Sequence, residues 1–106
     1  MHKVNILEEG KKIKKPFVPR HIEDVGDHNV YLVLLEGEYK RHKHPYDEFF
    51  YVVDGEIEIE LGNSVEKLSK GEGLLVKKDT WHKSKSRKKS LVMMFERAGF
   101  DAQYEK

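Results

Sequence analysis

Two runs of β-forming side chains flank Asp54-Gly55, and they restrict this 106-residue chain more than any other feature. The second run, Glu56-Ile57-Glu58-Ile59-Glu60-Leu61, alternates strictly. Successive side chains on a strand point to opposite faces, so Ile57, Ile59 and Leu61 should meet a core and the three glutamates water. The first run, Glu48-Phe49-Phe50-Tyr51-Val52-Val53, does not alternate. Phe50 and Val52 share a face with Glu48, while Phe49, Tyr51 and Val53 make an equally apolar opposite face, so both faces need cover, from a second sheet or a partner subunit. Asp-Gly between the runs predicts a β-hairpin, because both residues tolerate the positive φ of a type I′ turn.

The β signature recurs after about residue 28. Short runs rich in Val, Ile, Leu, Tyr and Phe predict strands over 30–36, 65–68, 74–77 and 91–96, with turns at Gly62-Asn63 and Gly71-Glu72-Gly73. Six or more short antiparallel strands close their edges best as a barrel or a two-sheet jelly roll, so the expected class is all-β. Residues 1–22 are less patterned: Val4, Ile6 and Leu7 suit a short strand or a turn of helix, and Pro16 and Pro19 bar regular helix there. At 12.5 kDa the chain suits a single domain, residues 1–106, with 1–28 packing as an extension on a barrel core at 29–97.

Charge argues against two partner classes. Twenty basic residues face nineteen acidic ones, so no net field favours nucleic acid, and no apolar run approaches the roughly 18 residues of a membrane span. The N-terminus lacks the basic-then-apolar pattern of a secretory signal, and the absence of cysteine removes disulfides and thiolate ligands. A cytoplasmic address is the expectation.

His42, His44, Glu48 and, 34 residues beyond Glu48, His82 carry the chemistry. On a strand, His42 and His44 are two apart and point the same way, which puts both imidazoles within reach of one ion. Glu48 lies past the Pro45-Tyr46-Asp47 turn and can swing back toward them. His82 follows a glycine-rich turn, a strand and the Asp79-Thr80 corner. Three imidazoles and one carboxylate suit one divalent transition metal, whether iron, manganese, zinc, nickel, cobalt or copper, and leave room for a substrate or oxygen. A lone His-x-His is more often a solvated pair; the glutamate, the strands and the third histidine reverse that reading. His2, His21 and His28 lie in poorly patterned segments and read as surface residues.

These residues resemble the cupin superfamily. Its first motif is matched by Gly37, His42-Lys43-His44, Glu48 after three intervening residues, and Gly55 after six more; its second by Gly71, eleven residues before His82. Four residues rather than the usual five separate Gly37 from His42. Lys77 stands at the motif's proline, Asp79 at its glycine and Ser86 at its asparagine. The resemblance spans about residues 30–96 and looks like the small single-domain cupins. It implies a conical antiparallel double-stranded β-helix, or jelly-roll barrel, with metal ligation by His42, His44, Glu48 and His82. It also implies chemistry as varied as dioxygenases, isomerases, decarboxylases and sugar-binding regulators, so fold and site leave the reaction open.

The expected function is therefore a metal-dependent enzyme acting on a small oxygen-rich metabolite, in the manner of a dioxygenase or an isomerase. The alternative is a metal-containing module that binds or senses a small molecule without turning it over. No residue stands out as a catalytic acid or base; Tyr31, Tyr51 and Lys40 are the candidates considered, and Asp47 reads as a turn residue. Phe50, which shares parity with Glu48, is the best pocket wall, ahead of Trp81 and Met94. The five cations of residues 83–89 read as a solvated loop, or else as a lure for an anionic substrate. A homodimer formed through Phe49, Tyr51 and Val53 would cover the outer face of that strand.

Overall fold

The computed structural model describes residues 2–99 and 102–105. A short helix, α1 (Ile6–Lys11), precedes nine strands: β1 (Arg20–Val25), β2 (His28–Glu38), β3 (His42–Lys43), β4 (Glu48–Asp54), β5 (Glu56–Leu61), β6 (Ser64–Ser69), β7 (Gly73–Val76), β8 (His82–Arg97) and β9 (Gln103–Tyr104). All the pairings are antiparallel and make a double-stranded β-helix barrel. Among the described residues no helix is long and apolar enough to cross a membrane.

The spine is β8, sixteen residues long. On one side it pairs with β2, from His28 opposite Arg97 to Glu38 opposite Lys85. On the other it pairs first with β4, Glu48 opposite Glu96, and then with β5, Leu61 opposite His82. The strands β4 and β5 are therefore successive lengths of one bent ribbon along β8, and they do not pair with each other. This corrects the hairpin expected at Asp54-Gly55. Only Gly55 has positive φ (92°), where a type I′ turn needs it at both positions.

The bend follows from a bulge in β8. From Asp54 opposite Leu91 to Glu58 opposite Lys85, four steps on one side match six on the other; from Leu35 opposite Ser90 to Gly37 opposite Ser86, two steps match four. Both neighbours skip residues, so Arg87, Lys88 and Lys89 are pushed out into solvent. Ser90 Oγ accepts from the Glu56 amide at 3.1 Å and lies 2.9 Å from Ser86 Oγ, which ties the bulge to the corner. A side chain at Gly55 would collide with Ser90. The basic run is thus mostly strand, not the loop expected: Ser84 and Ser86 are buried inward, while Lys83 and Lys85 point outward to Glu38 at 2.6 Å and to Glu60 at 3.3 Å.

The core lies between the walls and contains Val33, Leu35, Phe50, Val52, Ile57, Ile59, Leu68, Val76 and Val92. Ile57 and Ile59 are buried as the alternation requires; Leu61 is half-buried and packs on the same cluster. Val30 and Leu32 point to the opposite side of β2 and are also buried, because α1 packs on this outer face with Gly10 against Leu91. Asn5 caps α1 by accepting from the Glu8 amide at 3.0 Å, which selects helix from the two options the sequence left. Among the described residues, the outer face of β4 has no such cover. Phe49, Tyr51, Leu75 and Phe95 remain 37–47% exposed, with Leu75, Phe49 and Phe95 side by side across β7, β4 and β8.

Candidate metal centre

Two turns joined by hydrogen bonds assemble the four candidate ligands. Asp47, in the turn after His44, accepts from the Lys78 amide at 2.8 Å, and the Asp79 amide donates to the His44 carbonyl at 2.7 Å. Asp79 holds φ at 60°, a conformation aspartate tolerates better than most residues, so the corner survives without the motif's glycine. His42 on β3 then lies opposite His82 at the start of β8, and Glu48 opens β4 beside them. Asp47 is a turn residue, as expected.

The site is buried: His42 is 8% exposed, His44 9%, Glu48 2% and His82 1%. One ligand atom from each lies within 4.8 Å of all the others. Glu48 Oε1 is 3.5 Å from His44 Nε2 and 3.4 Å from His82 Nε2. Donors bound at about 2.1 Å to one ion lie about 3 to 4 Å apart, so a small contraction of the outer pair suffices.

Tautomers supply the sharper fit. His42 Nδ1 donates to the Lys40 carbonyl at 2.8 Å and His82 Nδ1 to the Thr80 carbonyl at 2.9 Å. His44 Nδ1 is 3.0 Å from the Tyr46 hydroxyl, which itself donates to Glu96 Oε2 at 3.0 Å, so the hydroxyl's lone pair accepts the Nδ1 proton. With every Nδ1 so engaged, the three Nε2 atoms turn lone pairs inward. Among the described residues, His44 Nε2, Glu48 Oε1 and His82 Nε2 are the buried side-chain polar atoms with no hydrogen-bond partner. An unsatisfied buried polar group costs about 1–3 kcal/mol, and three around one point fit a cation. The group could hold one metal ion.

Burial dominates the electrostatics of His42 and of Glu96 beside the site. Burial first, and then the neighbouring imidazoles, push His42 down to about 4 against the hydrogen bond to Lys40. Glu96, opposite Glu48 across β4 and β8, shares a hydrogen bond with it. Burial, then Glu48, pushes the Glu96 carboxyl up to about 8, so at neutral pH it keeps its proton.

The site opens into a cavity of about 230 Å³. Phe50 and Met94 line it as the sequence suggested, together with Phe17, Tyr39, Tyr104, Tyr46 and Glu96. Trp81 does not line it: adjacent to inward-facing His82, its ring points away and lies under the Lys43 ammonium at 4.9 Å. Tyr31, Tyr51 and Lys40 are likewise absent from the lining, and so are the cations of residues 83–89. His2, His21 and His28 are exposed and paired with surface carboxylates. Phe17 holds φ at 66°, strained for a bulky residue, and this sets its ring 5.2 Å from that of Tyr39 at the cavity wall. A larger cleft, about 680 Å³, lies between β5, β6 and the bulge, lined by both acids and bases, but it contains none of the orphaned atoms.

Sequence reading missed Tyr46, Glu96, Tyr39 and Tyr104. Glu96 had a usable signal, since it shares parity with Val92 and Met94 at the end of an apolar run. Tyr104 had none, because it reaches the site only through β9 pairing with β3, opposite His42.

Comparison with known proteins agrees with this architecture. The uncharacterized protein YdbB of Bacillus subtilis (strain 168) is 34% identical over 84 residues, covering 77% of this chain and 74% of that protein. The crystal structure of a cupin-2 domain containing protein from Shewanella frigidimarina superposes with a TM-score of 0.86 at 27% identity, over 89% of this chain and 93% of that one. Hydroquinone 1,2-dioxygenase PnpCD, in complex with Cd2+ and 4-hydroxybenzonitrile, superposes with a TM-score of 0.79 over 90% of this chain and 72% of that one; at 17% identity the likeness shows the fold alone. The sequence model of the cupin domain matches residues 29–96, and on that match, with the barrel built around β8, the chain belongs to the cupin family.

Proposed function

We propose that the chain binds one divalent transition metal through His42, His44, Glu48 and His82 and acts on a small molecule in the manner of a dioxygenase or isomerase. The observation that carries this is the set of orphaned, buried donor atoms converging on one centre. A bound metal would supply Lewis-acid or oxygen-activating chemistry, and four protein ligands leave positions free for a substrate. The protein's own part is to position and shield. Phe17, Tyr39, Phe50, Met94 and Tyr104 offer flat apolar walls, which favour a ligand with a planar body and oxygen donors at one end. The 4-hydroxybenzonitrile in PnpCD makes simple phenols a natural first set of compounds.

One observation favours the second reading, a binding or sensing module. The Tyr46 hydroxyl and Glu96 carboxyl, proton-bearing groups hydrogen-bonded to the ligand set, are already tied to His44 and Glu48. Metal analysis of protein purified without chelator comes first. One ion per chain is expected, and its loss in His82→Ala; a metal-free protein, or equal binding by the variant, would refute the site. A panel of phenols, diols, keto acids and sugars then separates the readings: turnover supports the enzyme, and saturable binding without turnover supports the module. A second copy of this chain is the proposed cover for Phe49, Tyr51, Leu75 and Phe95, since α1 covers the neighbouring part of the same outer face and stops short of them.

A further inference from the structure

Each candidate imidazole needs a partner for its Nδ1 proton, and the three are not provided for alike. His42 and His82 each donate to a backbone carbonyl two residues earlier, so the main chain leading into each strand fixes those rings. His44 lies just past the end of β3, and its ring is held by side chains. Tyr46, 8% exposed, stacks on it with ring centroids 4.8 Å apart and planes 18° from parallel, and its hydroxyl bridges His44 Nδ1 and Glu96 Oε2, 3.0 Å from each. Glu96 in turn is joined to Glu48. A closed chain, His44 to Tyr46 to Glu96 to Glu48, thus links two ligands through residues fifty positions apart.

Resting on the metal-site reading above, we propose that Tyr46 and Glu96 are positioning residues that lock His44 in the tautomer with its Nε2 lone pair facing the metal, and so set metal affinity. Direction in the chain is what enforces the tautomer. Because the Tyr46 hydroxyl gives its proton to Glu96, it can only accept from His44. Without that acceptor nothing stops the proton from moving to Nε2, where it would face the metal centre, and nothing holds the ring's rotation. Outer partners of this kind are typically worth about 10–100-fold in metal affinity.

The test is Co2+ titration of the metal-free chain, with competition by a colorimetric chelator and the visible spectrum of the bound ion. Tyr46→Phe and Glu96→Leu are expected to bind Co2+ about 10–100-fold more weakly and to alter the spectrum. Glu96→Gln, whose amide can still accept from Tyr46 and donate to Glu48, is expected to stay within about threefold of the parent, well inside the range lost with an outer partner. In imidazole 15N spectra of the metal-free protein, His44 should carry its proton on Nδ1 in the parent and divide between both nitrogens in Tyr46→Phe. Parent-like affinity in Tyr46→Phe would overturn the inference while leaving the metal site intact. So would equal losses in Glu96→Gln and Glu96→Leu, since packing rather than hydrogen bonding would then be responsible. Failure of the parent to bind Co2+ would instead remove the metal reading and the inference with it.

Discussion

Four buried polar side chains facing one another are costly for a small protein that holds nothing between them. Filling the centre should therefore stabilise the chain strongly. Metal at a thousand times its Kd adds about 4 kcal/mol; at about 4–8 °C per kcal/mol for a domain of this size, Tm should rise by roughly 15 °C or more. Thermal melts with and without chelator check this, and His82→Ala should abolish the rise. In the metal-free chain pH acts through two residues with opposite sign. His42, ordinarily at 6.5, is pushed down to about 4, so between those values the unfolded chain takes up a proton that the folded chain refuses, and stability falls as pH drops through that window. Glu96, ordinarily at 4.5, is pushed up to about 8, so its contribution is full below 4.5 and is lost as pH rises toward 8. The parent's Tm should accordingly fall relative to that of Glu96→Gln as pH climbs through that range. A pH-independent difference would contradict the assignment.

Elements in this barrel are defined by a long central strand with a bulge in its middle. The bulge lets β4 turn into β5 without leaving β8, and it depends on one residue without a side chain. At Gly55, φ of 92° and the closeness of Ser90 both exclude a Cβ. Gly55→Ala should therefore cost about 2 kcal/mol or more, from backbone strain and overpacking together. Chemical denaturation measures this directly. Metal affinity measured below the unfolding transition should change far less, because the ligands lie on β3 and just past its end, on β4 and at the start of β8, away from the corner. The turns that bring those ligands together are held by the Asp47 carboxylate and the Asp79 amide. Asp47→Ala is expected to weaken metal binding, although Asp47 touches no ligand side chain.

For the whole molecule, the exposed face across β7, β4 and β8 is the consequential surface. Sedimentation at micromolar concentration should show a dimer, and replacing Phe49 and Phe95 together by glutamate should give a folded monomer. A parent that sediments as a monomer would leave the face without its proposed cover. The cations of residues 83–89 lie on the outside of the barrel and do not line the metal cavity, so ligand capture should depend little on ionic strength.

The amino-acid pattern alone was enough to read the strand alternation of β5, the inward parity of Glu48, Phe50 and Val52, and the four candidate ligands. These are local properties: a period of two, a spacing between histidines, a glycine at a turn. It misread residues 83–89 as loop, because their lysines and serines carry no hydrophobic signal, although alternation places the serines inside. It misread Asp54-Gly55 as a hairpin, because a turn motif cannot tell a reversal from a corner when the pairing partner lies some thirty residues away. That Glu96 faces Glu48, that Tyr46 bridges His44 to it, and that Tyr104 reaches the cavity were visible in the folded barrel and not in any segment. Each depends on which strands pair and in what register, and register comes from the packing of the whole barrel, which no single segment encodes.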